Sequence, residues 1–259
     1  MKDLKIYISV DFEGAACVVG EAAKLLGDSR LFDETQRIVT GEANAAVQGC
    51  LDAGAAEVII DDCHDGGICL LHDQLHPEAK ILLGSPRPLR FQPLDSSFAG
   101  LILLAYHPMA GVTNGVLSHS YSSVGIQRMW LNGREIGEIG FDAALAGERA
   151  VPVILVTSCA EGCREAREFL GDVETVVTKW GTSRNAALSL APAKARDLIR
   201  AAARRAADRI RDFKPFRIPP PYELKTEYKL ESAIDARRDG QRLDARTYLR
   251  RADTLSELI

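Results

Sequence analysis

Asp11 and Glu13 stand one residue apart where an apolar run, Lys5–Val10, gives way to Gly14. Two carboxylates that close repel each other and resist desolvation unless a cation or a proton lies between them. Two further apolar runs stop at a histidine: Glu57–Ile60 leads into "DDCHDGG" with His64, and Gly100–Ala105 leads into "YHPMAG" with His107. His119 follows in "LSHSYSS". The chain has only five histidines, so three in such places narrow the chemistry. Carboxylate with imidazole and little thiolate is the donor set of zinc or another first-row divalent metal. Two acids with two or more histidines suffice for a two-metal site in which one carboxylate bridges the cations. Metal ions between the acids would offset their repulsion.

Other residues of the same types read differently. "HDQLH", from His72 to His76, has the i, i+4 spacing of a helical zinc pair. An Asp replaces the glutamate that would be the general base, and Pro77 stops the helix at once. The segment reads as a surface helix end. Cys63, beside His64, reads as small buried filler. Asp61, Asp62 and Asp65 are candidates to orient His64.

The elements that must position these residues alternate strand and helix. Lys5–Val10, Glu57–Ile60, Lys80–Leu83 and Gly100–Ala105 read as strands, with a helix over Phe32–Ala53 ending at Gly54. These runs are apolar throughout, as parallel strands covered on both faces are. Such sheets bind ligands beyond the carboxyl ends of their strands, where the acids and histidines fall. "VGIQRMWLNGREIGEIG" alternates around Asn132-Gly133 and predicts a type I′ hairpin. A short helix near Phe141–Ala146 follows. "PVILVTS" and "VETVVTK" restore the strand pattern, separated by a helix over Ala160–Leu170. Ala193–Phe213 predicts an arginine-rich helix with one apolar stripe. "KPFRIPPPYE" is a stiff connector, then a strand in "YELKTEYKLES" and a final helix over Ala245–Leu258 are expected.

Composition narrows the class. The chain of 259 residues has 32 basic and 36 acidic side chains, and 6% of its residues are aromatic. Neither the charge nor the aromatic content fits a broad nucleic-acid surface. No apolar run is long enough to span a bilayer, and "MKDLKIYISV" holds no secretory leader. The six cysteines are scattered, without C-x-x-C. The expectation is a cytoplasmic enzyme with reduced thiols.

"SVDFEG" (Ser9 to Gly14) resembles the S-x-D-x-E-G signature of the zinc-dependent D-aminopeptidase family found with dipeptide-transport operons, the DppA-like type. "DDCHDGG" resembles its second-strand D-S-H loop, and "LHPEAKILLG" the segment after it. "YHPMAGVTNGVLSHS" resembles its Y-H-x-x-A stretch leading to M-S-H-S. "LNGREIGEIG" resembles its hairpin ending in G-E-L-G, and "APAKA" its "SPAKA". The resemblance is good from about Lys5 to Phe213 and weak beyond Pro219. It implies an α/β fold: a mostly parallel sheet with flanking helices, in a phosphorylase/peptidase-like three-layer form, plus an inserted β-hairpin and a smaller C-terminal segment. It implies an α/β metallopeptidase domain over 1–214 and a C-terminal extension over 215–259, packing on that domain or on a neighbouring subunit. By position, Asp11 matches a carboxylate bridging two zinc ions per subunit. Glu13, His64, His107 and Glu138 match the other zinc ligands, and His119 the catalytic histidine. Spacing alone does not single out Glu138 from its neighbour Glu135. The resemblance further implies a short-peptide substrate such as D-Ala-D-Ala and a ring-type homo-decamer, with no nucleic-acid or membrane partner. Cys63 stands where a serine is usual, and Leu117 where a methionine is usual.

Three other readings compete. A metal-dependent nuclease or phosphohydrolase can also begin with a strand running into D-x-E, but such sites are usually all-oxygen. A binding protein on the same scaffold would not need His119. An L-selective or broad aminopeptidase would share every motif, because stereochemistry is set by pocket walls.

Overall fold

The computed structural model describes residues 4–20 and 29–259. One sheet holds β1 (Lys5–Val10), β2 (Glu57–Asp62), β3 (Ala79–Leu82), β4 (Gly100–Leu104), β7 (Val153–Cys159), β8 (Glu174–Ser183) and β9 (Ala186–Ser189). A second holds β5 (Ile126–Leu131), β6 (Arg134–Glu135), β10 (Tyr222–Tyr228), β11 (Gln241–Arg242) and β12 (Thr247–Ala252). The helices are α1 (Ser29–Asp52), α2 (Glu138–Glu148), α3 (Ala160–Leu170) and α4 (Pro192–Asp208).

The larger sheet runs in the order β3-β2-β1-β4-β7-β8-β9, parallel except for β9. After β1 the chain winds outward to β2 and β3, then returns to place β4 on the other side of β1. That reversal makes a crevice between the carboxyl ends of β1 and β4, the usual ligand position in open α/β sheets. Asp11 follows β1 directly, and His107 lies three residues past the end of β4.

The apolar strands are covered on both faces, as their composition predicts. Ile6, Ile8 and Val10 of β1 pack against Val39, Ala43 and Val47 of α1 and Ile199 and Ala203 of α4. Tyr7 points the other way, into a core with Phe141 and Leu145 of α2, Phe169 of α3, and Met129 and Leu224 of the second sheet. Asn132 and Gly133 both adopt positive φ, 48° and 82°, the type I′ geometry that their sequence predicts.

Four expectations needed correction. The final helix over Ala245–Leu258 is instead β12 followed by a 3-10 turn, Leu255–Glu257. Its alanines, leucines and arginines favour helix, yet β10 offers an antiparallel partner, pairing Leu224 with Arg250 and Thr226 with Tyr248. Tertiary pairing overrides propensity there. The strand "VETVVTK" continues to Ser183 and turns back as β9, an edge strand that the sequence reading lacked. The helix after the hairpin starts at Glu138, one turn before the expected Phe141. The arginine-rich helix ends at Asp208, and Phe213 is buried beyond it. All six cysteines are free thiols. Among the described residues no helix is long and apolar enough to cross a membrane.

Candidate metal centre

Asp11 and Glu13 enter the crevice on a loop laid directly on the end of β4. The Asp11 N–H donates to the Leu104 carbonyl at 2.9 Å, and the Gly14 N–H donates to Ala105 at 2.7 Å. A Cβ at Gly14 would lie 1.9 Å from the Tyr106 carbonyl oxygen, so any side chain there would force the loop and His107 apart. Both carboxylates are buried, at 5% and 2% exposure.

The structure brings all six predicted site residues together in an alternating row. Asp11 Oδ1 lies 3.0 Å from His64 Nδ1, and Asp11 Oδ2 lies 3.5 Å from His107 Nε2. Glu138 Oε1 closes the row at 3.1 Å from His107 Nε2. Glu13 Oε2 is 3.2 Å from His64 Nδ1, and its Oε1 is 3.9 Å from His119 Nε2. His119 Nε2 also lies 3.9 Å from Glu138 Oε1. Among the described residues, two sets of donor atoms converge within 4.8 Å: Asp11, Glu13 and His107, and His107, His119 and Glu138. His64 stands outside both sets, yet it contacts both carboxylates of the first.

Each ring is aimed by its second nitrogen or its face. His107 Nδ1–H donates to the Pro108 carbonyl at 3.1 Å, which turns Nε2 toward the acids. His119 Nδ1–H donates to the Leu117 carbonyl at 2.8 Å, which leaves Nε2 facing Glu13 and Glu138. Leu117 itself sits at φ 53°. The His107 and His119 rings stack with centroids 3.8 Å apart. Phe12 stacks on His64 at 4.9 Å.

The charges are strongly interdependent. Burial, then the adjacent Glu13, raises the Asp11 carboxyl to about 7. Burial opposes the ionisation of Glu13, but His64, His107 and His119 together hold it well below the usual carboxylate range. Glu138 is buried too, and His107 brings it down to about 2. Burial disfavours charge on His64 and His107, but their carboxylates keep both imidazoliums well above the ordinary histidine value. His119 goes the other way, lowered by burial and by His107. Asp11 Oδ2 and Glu13 Oε2 are buried and lack a hydrogen-bond donor. Buried acceptors without donors among nitrogen and oxygen ligands fit a bound divalent cation.

The remaining candidates lie outside the cluster. Cys63 turns away: its thiol donates to the Val10 carbonyl and accepts from the Ser9 hydroxyl, both at 3.1 Å. Asp61 pairs with Arg87 and does not orient His64. Asp62 accepts the Cys69 and Leu70 N–H groups and so shapes the His64 loop. Asp65 Oδ2 is 3.6 Å from His64 Nε2 and largely exposed. His72 sits in an exposed 3-10 turn, and His76 bonds to Gln48 and Asn44 of α1.

Sequence reasoning missed Asp142, the hub under the site. Wholly buried, it accepts from Arg90 Nε and Nη2 at 2.7 and 2.6 Å, from Tyr106 Oη at 2.7 Å, and from Tyr121 Oη at 2.9 Å. The available signal was its place four residues after Glu138, on the same face of α2. Tyr121 also donates its N–H to Glu138 Oε1 at 2.6 Å.

Glu165 of α3 was missed as well. Its Oε2 accepts the Met109 N–H at 2.8 Å, two residues after His107. Burial pushes its carboxyl up to about 7. In the folded chain this group keeps its proton while the unfolded chain releases it near the ordinary glutamate value. Its contribution to stability is therefore full at acid pH and is lost as pH rises to about 7. Glu165→Gln, which keeps an acceptor for Met109, should gain on the wild type by up to about 3 kcal/mol between pH 4.5 and 8. Urea midpoints of both proteins across that range check this, and a constant difference would refute it.

Known proteins resemble this chain in sequence and in fold. The family model described as D-aminopeptidase matches residues 4–259, so the match runs through the tail. The D-aminopeptidase of Bacillus subtilis (strain 168) is 35% identical over 197 residues, covering 76% of this chain and 71% of the relative. The solved structure of the Zn-dependent D-aminopeptidase DppA from Bacillus subtilis, a self-compartmentalizing protease, superposes with a TM-score of 0.91. That comparison is at 30% identity and covers 98% of this chain and 93% of the other. A family match over residues 4–259, a 35% identical relative and a solved structure that superposes over nearly the full length place the chain in the D-aminopeptidase family of metal-dependent hydrolases.

Proposed function

We propose that the chain is a dinuclear zinc aminopeptidase that removes an N-terminal D-amino acid from short peptides such as D-Ala-D-Ala. The observation that supports this best is the position of Asp11, with one carboxylate oxygen toward His64 and the other toward His107. A carboxylate between two imidazoles suits a bridge between two cations. Glu13 and His64 would hold one zinc and His107 and Glu138 the other, with Asp11 shared. Zinc, when bound, supplies Lewis acidity toward the scissile carbonyl and the attacking water. His119 is the catalytic residue of this reading. Its Nε2 is aimed into the cluster by the Leu117 bond, where it can carry a proton to the leaving amine. The Asp142 hub holds Tyr106 and Tyr121, and through them the segments bearing His107 and His119.

The same reading takes residues 1–214 as the catalytic unit and 215–259 as an extension packed on it or on a neighbouring subunit. It takes the chain to be cytoplasmic and to assemble as a ring-type homo-decamer. The self-compartmentalizing description of the DppA relative supports such an enclosure, which would admit only short peptides.

The deciding experiment loads the protein with zinc, verified by elemental analysis, and assays D-Ala-D-Ala beside L-Ala-L-Ala. Release of D-alanine, abolished by Asp11→Ala, is the expected result. Cleavage of the L form alone would keep the metal site and discard the stereochemistry. No cleavage of either, with zinc bound, would sink the peptidase reading.

A further inference from the structure

Glu13 reaches the metal centre on a loop, 11–18, that leaves β1 and passes over the ends of its neighbours. The loop is irregular, and its carbonyls have no ladder partners. The far side of the sheet supplies them. Lys179 of β8 is wholly buried, and its Nζ donates to the carbonyls of Glu13 at 2.5 Å, Ala15 at 2.6 Å and Val18 at 2.6 Å. An ammonium has three donors, and each finds one of these carbonyls. The adjacent Thr178 hydroxyl donates to the Gly14 carbonyl at 2.6 Å. From the other layer, Glu42 Oε1 of α1 accepts the Ala16 N–H at 2.9 Å.

Packing alone does not call for a lysine here. A buried cation is costly, and an aliphatic side chain of similar length would fill the same space. Among the described residues no carboxylate lies in ion-pair range of Lys179. What the ammonium adds is convergence: one point on β8 fixes three carbonyls of one loop. β8 is separated from β1 by β4 and β7 and bears no residue of the metal cluster. Together with the Thr178 bond to Gly14, these bonds tie the loop to β8.

We propose that Lys179 is a positioning residue for the metal centre, holding the Glu13 loop through its three carbonyls, with Thr178 and Glu42 as its auxiliaries. It touches neither substrate nor reacting atoms. The inference rests on the zinc reading of the site, and its test separates the two.

Lys179→Met keeps the length of the side chain and removes the donors. Two measurements are made on this variant and on the wild type. Hydrogen exchange of residues 14–18 is followed in metal-free protein, and zinc affinity is measured by competition with a chromophoric chelator. Exchange in the loop should accelerate at least about tenfold while β1 and β4 stay protected. Zinc affinity should fall about 10- to 100-fold, the usual cost of losing support behind a ligand. With D-Ala-D-Ala, kcat should fall more than KM rises. Zinc uptake by the wild type that Asp11→Asn abolishes establishes the metal reading by itself. With that control in hand, a variant that melts earlier yet binds zinc as tightly and protects the loop as well overturns the positioning role. Should Lys179→Met fail to fold, Thr178→Val removes the hydroxyl that donates to Gly14 and, more weakly at 3.1 Å, to Ser158, and is read by the same two measurements. A smaller loss of zinc affinity with faster loop exchange supports the proposal, and no change in either refutes it.

Discussion

His119→Ala should lower kcat by about 10²- to 10⁴-fold, the range for losing a positioned acid or base, and should keep its zinc. His107→Ala should lose the zinc as well as the activity. The contrast is needed because His107, His119 and Glu138 present donor atoms within 4.8 Å of one another, so proximity alone makes His119 a possible ligand. The finer geometry separates the two rings. His107 Nε2 lies 3.1 Å from Glu138 and 3.5 Å from Asp11, whereas His119 Nε2 stays 3.9 Å from both Glu13 and Glu138. Elemental analysis of the two purified variants beside steady-state kinetics decides it. Zinc loss in His119→Ala equal to that in His107→Ala would make His119 a ligand and remove the proposed proton carrier.

Asp142→Ala should cost about 3–5 kcal/mol of stability, the cost of breaking a buried ion pair from one side. The substitution strips the Arg90 guanidinium of its carboxylate, removes the acceptor of the half-buried Tyr121 hydroxyl, and leaves the buried Tyr106 hydroxyl with Ser9 Oγ, at 2.9 Å, as its remaining close partner. For a chain of this size the melting temperature should fall by on the order of 10 °C. Asp142→Asn returns one acceptor oxygen but not the charge, so its loss should be smaller. Combining Asp142→Ala with Tyr121→Phe should cost less than the two losses added, because both remove the same bond. Additive melting data would show that the hub does not act as a unit. Activity should fall in Asp142→Ala, since freeing the Tyr121 side chain loosens the segment whose backbone N–H holds Glu138.

What the sequence showed and hid follows from the range of each signal. Asp11, Glu13, His64 and His107 end apolar strands of one parallel sheet, and local pattern places them at one edge of it. Glu138 has no such mark. It opens a helix after a hairpin, and only the fold swings that helix under β4; a resemblance, not spacing, picked it out. Asp142 and Lys179 were silent for another reason. Each acts through partners far along the chain: Asp142 on Arg90, and Lys179 on Ala15. A buried lysine looks like any surface lysine until those partners are known. The tail failed where intrinsic preference and tertiary pairing disagree, since "TYLRRA" can be helix alone but is a strand beside β10.

The second sheet has a consequence for the chain's biogenesis. β5 lies between β6 and β10, so one of its edges is completed only by residues far later in the sequence. As the chain leaves the ribosome, Met129 and Leu131 emerge well before Tyr222 and Leu224, the residues that share their core. The hairpin leading into α2 thus stays half-covered through much of synthesis, with an open edge of the kind that recruits wrong partners. Glu138 opens the helix that follows this hairpin, so the segment that carries it borders an unpaired strand edge until Tyr222–Tyr228 is made.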